Sequence, residues 1–546
     1  MCGILGILTA DDVDLELYNK CLNKIKHRGP DNTSITILHD ENKIGTYNQY
    51  FGFVRLKVVD LTDTGNQPFN IDDCILICNG EIYNYRQLMD EHGFHEVYQS
   101  DHNDCEIIIH MYRKFGMKKT IEALDGVFAF CLFDKRENKY FVGRDPIGIR
   151  PLFMAKLETG WAFASEMKAL VDLELKNEPK NIQQFPVGHC FDVFSNEYHC
   201  YYSFDYKILN RPEEYFIGRI RDRLIEGTRK RLMSDRKIAC LLSGGLDSTI
   251  VTAIVCKYLG PKNVNTYSIG MKGSIDLKYA QIAADFFGTN HTNIELTEQE
   301  FLNAIPEVVY QIESYDTTTV RASVGNYLVS QYIGKSSKDV VIFCGDCSDE
   351  LLCGYFSFCK TSNEDDLYKE NVKMLKNICF FDVLRSDRTI SNPGLESRVP
   401  FADKEFMNLV MSMPPKYKMF GSGKIEKHVL REAFKDMLPP EIYERKKTAF
   451  SDGVSINQRP WYEIIQEYAD ELYSAEEFEE NIEKYEFNRP YSKESLYYRE
   501  LFEEYYKGYA NVIPYFWTHP FSDQMEPSAW TLDDEEKKTS IAEKTV

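Results

Sequence analysis

From the N-terminus to about residue 205, hydrophobic positions come in short runs, several of them alternating with polar ones. Ile35–Leu38, Phe53–Val59, Cys74–Cys78, Val127–Phe133, Lys139–Gly143 and Trp161–Ala164 carry the signature of strands, punctuated by Asn32, Gly45, Gly65, Asn66 and Gly80. A helical spacing intervenes at Asp104–Phe115, where Ile107, Ile108, Met111 and Phe115 fall on one face. This part of the chain reads as β-rich with a few helices. Asn210-Arg211-Pro212 then opens a long amphipathic helix through Ile217, Ile220, Leu224 and Thr228, which puts a domain boundary at residues 205–212. Beyond it the pattern becomes strand, loop, helix. Ile238–Leu242 is an apolar strand, Ser243–Ser248 a polar turn and Thr249–Tyr258 a helix; Val264–Ile269 and Val340–Cys344 repeat the strand, with a helix at Lys278–Phe287. The spacing predicts right-handed βαβ units of a parallel sheet. The expected division is a domain at 2–205, a second, α/β domain at 213–530 and a loose, charged tail at 533–546. The acidic stretch Glu467–Glu486 reads as a solvated helix face.

Length and composition narrow the class. The 546 residues exclude a single small module, and 43% hydrophobic with 27% charged residues is the balance of a chain that folds throughout. No period of about 20–50 residues recurs, which removes solenoids and propellers. Asp and Glu outnumber Lys and Arg by 85 to 64, and the net charge of −21 disfavours nucleic acid and anionic lipid as partners. The longest apolar run, Val127–Phe133, is far short of the about 18–20 residues that a membrane span needs. No basic segment with a long apolar stretch precedes Asp11, Asp12 and Asp14, so the protein is expected to be intracellular and cytoplasmic, its 15 cysteines mostly buried thiols.

Candidate chemistry begins at the N-terminus. Removal of Met1 would leave Cys2 with a thiol and an α-amine in one residue, and an amine with a pKa near 8 can take the thiol proton. Alone, a cysteine near a terminus is a weak signal. Here Met1-Cys2-Gly3-Ile4-Leu5-Gly6 is followed by His27-Arg28-Gly29-Pro30-Asp31, Arg55-Leu56, Asn79-Gly80-Glu81-Ile82-Tyr83-Asn84, Asp125-Gly126-Val127-Phe128-Ala129-Phe130 and Gly143-Arg144-Asp145-Pro146-Ile147-Gly148. With these blocks, residues 2–190 resemble the class II glutamine amidotransferase domain, an N-terminal-nucleophile hydrolase of αββα architecture. The resemblance implies that the Cys2 thiolate attacks the side-chain amide of glutamine to give a γ-glutamyl thioester and ammonia. It also implies an oxyanion hole at Asn79 and Gly80, a carboxylate partner in Arg55, and contacts to the α-ammonium from Glu81 and Asp104. Asp101 competes with Asp104, because a Gly-Ser-Asp-Cys-Glu-like run is replaced by Asp101-His102-Asn103-Asp104-Cys105-Glu106. Out of context, Asn79-Gly80 would read as a hairpin turn.

A second constellation is Ser243-Gly244-Gly245-Leu246-Asp247-Ser248, between a strand and a helix. Two glycines let backbone N–H groups approach a phosphate, Ser243 and Ser248 add hydroxyls, the helix N-terminus adds its dipole, and Asp247 can hold Mg²⁺. No Gly-Lys-Ser/Thr follows, so this is not a Walker loop. It resembles the PP-loop of enzymes that cleave ATP between the α- and β-phosphates. Together with Thr319-Val320-Arg321-Ala322-Ser323, Gly345-Asp346-Cys347-Ser348-Asp349-Glu350, Glu396-Ser397-Arg398-Val399-Pro400-Phe401, Gly423-Lys424-Ile425-Glu426-Lys427-His428 and Arg445-Lys446-Lys447, the chain resembles the glutamine-hydrolysing asparagine synthetases. The fold class expected is therefore an αββα N-terminal-nucleophile hydrolase followed by an α/β PP-loop ATP pyrophosphatase domain.

That resemblance implies glutamine, aspartate and ATP as substrates, Mg²⁺ as the metal, β-aspartyl-AMP as intermediate and a homodimer. It assigns adenylate contacts to Leu241, Ile269 and Gly345, and pyrophosphate or Mg²⁺ contacts to Ser243, Gly244, Gly245, Asp247, Ser248 and Asp349. Lys447 would neutralise phosphate charge; Arg321 and Glu350 would hold aspartate and organise the site. Read alone, Lys447 belongs to an exposed basic run. Asp346 stands where the family usually has a glutamate that receives ammonia, Cys347 where it has glycine, and Arg385-Ser386-Asp387-Arg388 where it has Arg-Ala-Asn-Lys; both of these blocks are expected in the synthetase site. A zinc reading of Cys344, Cys347, Cys353 and Cys359 is disfavoured by the apolar strand beside them. The alternatives are another carboxylate acceptor or a nucleotide-binding scaffold without catalysis.

Overall fold

The computed structural model describes residues 1–39, 47–174, 181–421, 423–456 and 458–528; the expected tail at 533–546 lies outside them. Among the described residues the N-terminal part contains β1 (Gly3–Thr9), β2 (Asn32–Leu38), β3 (Asn48–Arg55), β4 (Phe69–Ile71), β5 (Cys74–Ile82), β6 (Gly126–Asp134), β7 (Lys139–Arg144), β8 (Phe153–Leu157), β9 (Gly160–Ala164), β10 (Gln183–Gln184), β11 (His189–Asp192) and β12 (Glu197–Cys200). They form two six-stranded antiparallel sheets of order β10-β8-β9-β1-β3-β2 and β12-β11-β7-β6-β5-β4. Strand alternation sends Ile4 and Leu8 of β1, Phe51 and Phe53 of β3, Ile75 and Ile77 of β5 and Cys131 and Phe133 of β6 into the layer between the sheets. The other faces are apolar too. Leu76, Cys78, Phe128 and Phe130 pack on Ile107, Ile108 and Met111 of the helix Ile107–Phe115. Leu5 and Ile7 pack on Tyr18, Cys21 and Leu22 of the helix Leu15–Asn23. Burial on both faces explains why β6 reads as one continuous apolar run, and the layers stack as αββα.

Two expectations need correction. The strand expected over Phe53–Val59 ends at Arg55; Val58 and Val59 leave the sheet and enter the core that joins the two halves, so one apolar run serves two surfaces. The helix expected over Asp104–Phe115 is divided into a 3-10 turn, Asp104–Glu106, and the α-helix Ile107–Phe115.

After the helix Glu213–Lys230, a parallel sheet holds β13 (Lys237–Leu241), β14 (Asn265–Met271), β15 (Asn290–Leu296), β16 (Asp339–Phe343) and β17 (Glu396–Arg398) in the order β15-β14-β13-β16-β17. The chain moves to one side of β13 for β14 and to the other for β16. A crevice therefore opens beyond the carboxyl end of β13, where ligands bind in open α/β sheets. Strands β15 and β17 carry little apolar pattern; β15 begins Asn290-His291-Thr292-Asn293 and β17 has three residues. Glu476, Glu477, Glu479 and Glu480 are exposed on the helix Ala475–Ile482. Among the described residues no helix is long and apolar enough to cross a membrane.

Candidate active site

Cys2 precedes β1, next to the end of β3. Its Sγ donates to the Leu56 carbonyl at 3.7 Å, and its own carbonyl accepts from Arg28 Nε at 2.9 Å. Asn79 and Gly80 do not form a hairpin turn: they lie inside β5, opposite Ala129 and Phe128 of β6. A Cβ at Gly80 would come within 2.5 Å of the Val127 carbonyl oxygen, so the close strand approach requires glycine. Both amide atoms of Asn79 are buried without a hydrogen-bond partner. An orphaned buried amide is costly unless a ligand completes it. Asp104 is buried and accepts from Ile82 N at 2.6 Å, whereas Asp101 is exposed, so of the two rival aspartates it is Asp104 that lies against β5.

The electrostatics of this site are those of carboxylates whose burial outweighs their partners. Burial pushes Asp104 up to about 6 in spite of the Ile82 bond. Burial also raises Glu81 well above the carboxylate range, with Arg398 opposing it from 3.2 Å. Arg55 is held by its own loop, donating to Thr62 O at 2.7 Å, Asn66 Oδ1 at 2.8 Å and Asp60 O. The Cys2 thiol is pushed up to about 11 by burial, against the nearby N-terminal amine. That amine belongs to Met1, which is wholly buried, donates to Leu395 O at 2.9 Å and is brought down to about 5 by burial.

The second site fills the crevice beyond β13. Ser243–Ser248 turns into a helix that begins at Leu246, three residues earlier than the pattern suggests, with Gly245 as its cap; Asp247 and Ser248 therefore sit in the first turn. Gly244 has φ +67° and lies so close to Tyr279 that a Cβ would meet its carbonyl carbon at 2.2 Å. Leu241, Ser243, Gly245, Asp247, Ser248, Ile269, Gly345, Asp346, Asp349, Glu350 and Lys447 all line this one cleft. Gly244 backs it without lining it.

Charges in the cleft are paired across long sequence distances. Asp247 accepts from Ser348 Oγ at 2.7 Å and Lys427 Nζ at 2.6 Å; Asp349 meets Lys427 at 2.7 Å and Lys447 at 2.6 Å. Burial would raise Asp349, but Lys427 and Lys447 outweigh it and hold the carboxyl at about 2. Burial and the neighbours Asp382 and Asp349 push Glu350 up to about 8, and Tyr355 donates its hydroxyl to it. Asp346 receives Arg385 Nη2 at 2.9 Å on one oxygen. Its other oxygen is buried without a hydrogen bond. Lys427 was not singled out from the sequence; its block was visible, but the convergence of two distant aspartates on it was not.

Two expected placements differ. Arg321 does not face the cleft. Its guanidinium is buried against Glu494, with Nε at 2.7 Å, and Glu526, with Nη2 at 3.1 Å, so it anchors the segment that carries Glu526. Asp387 and Arg388 do not lie in the synthetase site either. Only Arg385 of that block reaches the cleft; Asp387 bonds to Arg28 and Arg388 to Glu313, at the contact between the two halves of the chain.

Comparison with known proteins identifies two family models along the chain. A family model described as a glutamine amidotransferase domain matches residues 1–205, and one described as asparagine synthase matches residues 219–364 and 359–531. Asparagine synthetase [glutamine-hydrolyzing] of Cricetulus griseus is 40% identical over 97% of this chain and 98% of its own. The chain belongs to the glutamine-hydrolysing asparagine synthetase family. The Homo sapiens member is also 40% identical, and that of Gallus gallus 39%, each over 97% of this chain and 98% of theirs. The Mg²⁺ expected from the sequence can be tested against the chemistry of the cleft. Among the described residues no three His, Cys, Asp or Glu side chains converge as a metal site. Asp247 and Asp349 nevertheless both reach within 2.7 Å of the Lys427 ammonium, so two hard oxygen donors converge on one cation position. Such a pair fits an ion that takes most of its shell from phosphate and water.

Proposed function

We propose that the chain is a glutamine-dependent asparagine synthetase in which residues 2–205 release ammonia from glutamine and residues 213–530 transfer it to aspartate with ATP. The observation that carries the reading is the pairing, in one chain, of an unpartnered buried Asn79 amide in the half that begins with Cys2 and a PP-loop cleft at the sheet's switch point in the other.

At the first site, the Cys2 thiolate adds to the glutamine amide carbon and ammonia leaves with the proton that the thiol gave up; water then cleaves the γ-glutamyl thioester to glutamate and returns the thiol. Asn79 and the Gly80 N–H are suited to the oxyanion, and the raised pKa values of Glu81 and Asp104 suit them to a ligand ammonium, which would offset the cost of burying both carboxylates. Arg55 is suited to the ligand carboxylate. Removal of Met1 would free the Cys2 amine to act as base.

At the second site, a carboxylate oxygen of aspartate attacks the α-phosphorus, pyrophosphate leaves, and ammonia then displaces AMP from the acyl carbon. Ser243, Gly244, Gly245 and Ser248 cradle the departing phosphates, while Leu241, Ile269 and Gly345 border the adenylate. Lys427 and Lys447 reduce the repulsion between two anions that must meet. Mg²⁺, when held by Asp247 and Asp349, would supply further charge neutralisation. Glu350 and Asp346 face the aspartate and ammonia end.

Purified protein incubated with glutamine, aspartate and MgATP should yield asparagine, glutamate, AMP and pyrophosphate, and Asp247→Asn should suppress AMP and pyrophosphate together. Formation of ADP and orthophosphate would contradict adenylation.

A further inference from the structure

Arg28, in the 3-10 turn Lys26–Arg28, is wholly buried and uses every face of its guanidinium. Nε holds the Cys2 carbonyl at 2.9 Å. Nη1 donates to Glu166 at 2.6 Å, to Asp387 Oδ2 at 2.8 Å and to Ser391 Oγ at 3.1 Å, and Nη2 donates to Asp387 Oδ1 at 3.0 Å. Asp387 and Ser391 lie one turn apart on the helix Asp382–Ser391. The same helix sends Arg385 to Asp346 in the cleft, at 2.9 Å. Its neighbour Arg388 donates to Glu313 at 3.0 Å, and the Glu313 carboxylate accepts from the backbone of Met167 and Lys168 at 3.0 and 2.7 Å. Asp387 and Arg388, two of the three residues that depart from the usual Arg-Ala-Asn-Lys pattern, are thus used to bind the two halves together.

An asparagine at 387 would offer Arg28 one acceptor oxygen in place of two and would turn an amide N–H₂ toward a cation. An aspartate accepts two bonds in the parallel, charge-assisted fork that fixes a guanidinium in plane. Arg28 held in that fork fixes the backbone of Cys2, and a nucleophile displaced by about 1 Å can lose about 100-fold in rate.

We propose that Asp387, a residue of the synthetase half, is a positioning residue for Cys2: through its fork with Arg28 it holds the nucleophile of the amidotransferase half in its reactive place. Glutamine hydrolysis therefore depends on the helix Asp382–Ser391, which also carries Arg385, the partner of Asp346 in the cleft. The proposal rests on the reading of Cys2 as nucleophile.

The test uses the full-length protein with Asp387→Asn, Arg28→Lys and the double variant. Glutamate formation, ammonium-dependent asparagine synthesis and Tm are measured for each. The expected result for Asp387→Asn is about a 10-fold fall in kcat for glutamine hydrolysis, with KM for glutamine, ammonium-dependent synthesis and Tm little changed. Arg28→Lys should act in the same direction, and the double variant should be no worse than the poorer single one, because both break one linkage. Wild-type hydrolysis in Asp387→Asn, additive losses in the double variant, or equal losses with glutamine and ammonium would each overturn the proposal. Cys2→Ala serves as the reference: if it retains glutamine-dependent synthesis, the reading of Cys2 fails first, whereas its loss beside an unaffected Asp387→Asn rejects only the role of Asp387.

Discussion

In the amidotransferase site the Asn79 side-chain amide has no hydrogen-bond partner and burial raises Glu81 and Asp104 in spite of Arg398 and the Ile82 N–H, whereas in the PP-loop cleft Asp247 and Asp349 are already matched by Lys427 and Lys447. The difference follows the substrates. Glutamine is a neutral zwitterion, and a site for it can leave an amide without a partner and carboxylates raised by burial until the ligand arrives. ATP is a polyanion, and bare carboxylates facing it would repel it; lysines beside them keep the cleft close to neutral until phosphate and metal take over. One site gains its interactions on binding, and the other exchanges them.

The sharpest way to break this comparison is Cys2→Ala. Glutamine-dependent synthesis should fall by about 10³-fold or more while synthesis from added ammonium persists. Equal loss with both nitrogen sources would mean that the sites are not separable. Next in size, Asp349→Asn leaves Lys427 and Lys447 without one shared partner in a buried cleft. Pyrophosphate formation should fall by about 100-fold with glutamine hydrolysis retained, read by separate assays of the two half-reactions.

A smaller effect concerns Glu350, which is pushed up to about 8 by burial and its acidic neighbours. Its raised folded pKa means that the folded state keeps a proton which the unfolded chain has lost above its ordinary value near 4.5. The associated stability is complete below that value and gone once the pH has risen through 8. The Tm difference between Glu350→Gln and the unliganded parent should therefore grow in favour of the variant from about pH 5 to 8, and a constant difference across that range would refute a protonated Glu350. The smallest effect is at Asp346. A carboxylate one methylene shorter, with one oxygen held by Arg385, leaves ammonia less well received. Glutamate should form in excess over asparagine, and Asp346→Glu should bring the ratio closer to one, by about two-fold, without changing glutaminase turnover. A parental ratio already near one would remove the meaning of this departure.

What could be read from the sequence was what is local. The PP-loop declared itself because strand, turn and helix follow one another within about 20 residues, and two glycines in that context have few other uses. Asn79-Gly80 was ambiguous locally and was decided only by pairing with β6. Lys427 escaped because its partners lie 180 and 78 residues away at Asp247 and Asp349, and a sequence gives no sign of convergence across such distances. Arg321 misled for the same reason: its position in a familiar block said nothing of Glu494 and Glu526, which claim it. Asp387 and Arg388 looked like changes in a catalytic block, and only the packing of the helix Asp382–Ser391 between the halves turns them into an interface.

The central claim is that nitrogen freed at Cys2 is the nitrogen joined to aspartate at the PP-loop. The direct measurement is synthesis from glutamine labelled with ¹⁵N in its side-chain amide, in the presence of excess unlabelled ammonium, with the isotope of the product amide read by mass spectrometry. The account predicts asparagine whose side-chain nitrogen is predominantly ¹⁵N, with AMP formed in step with it. Product carrying the isotopic composition of the bulk ammonium would show that the two sites work independently and would contradict it.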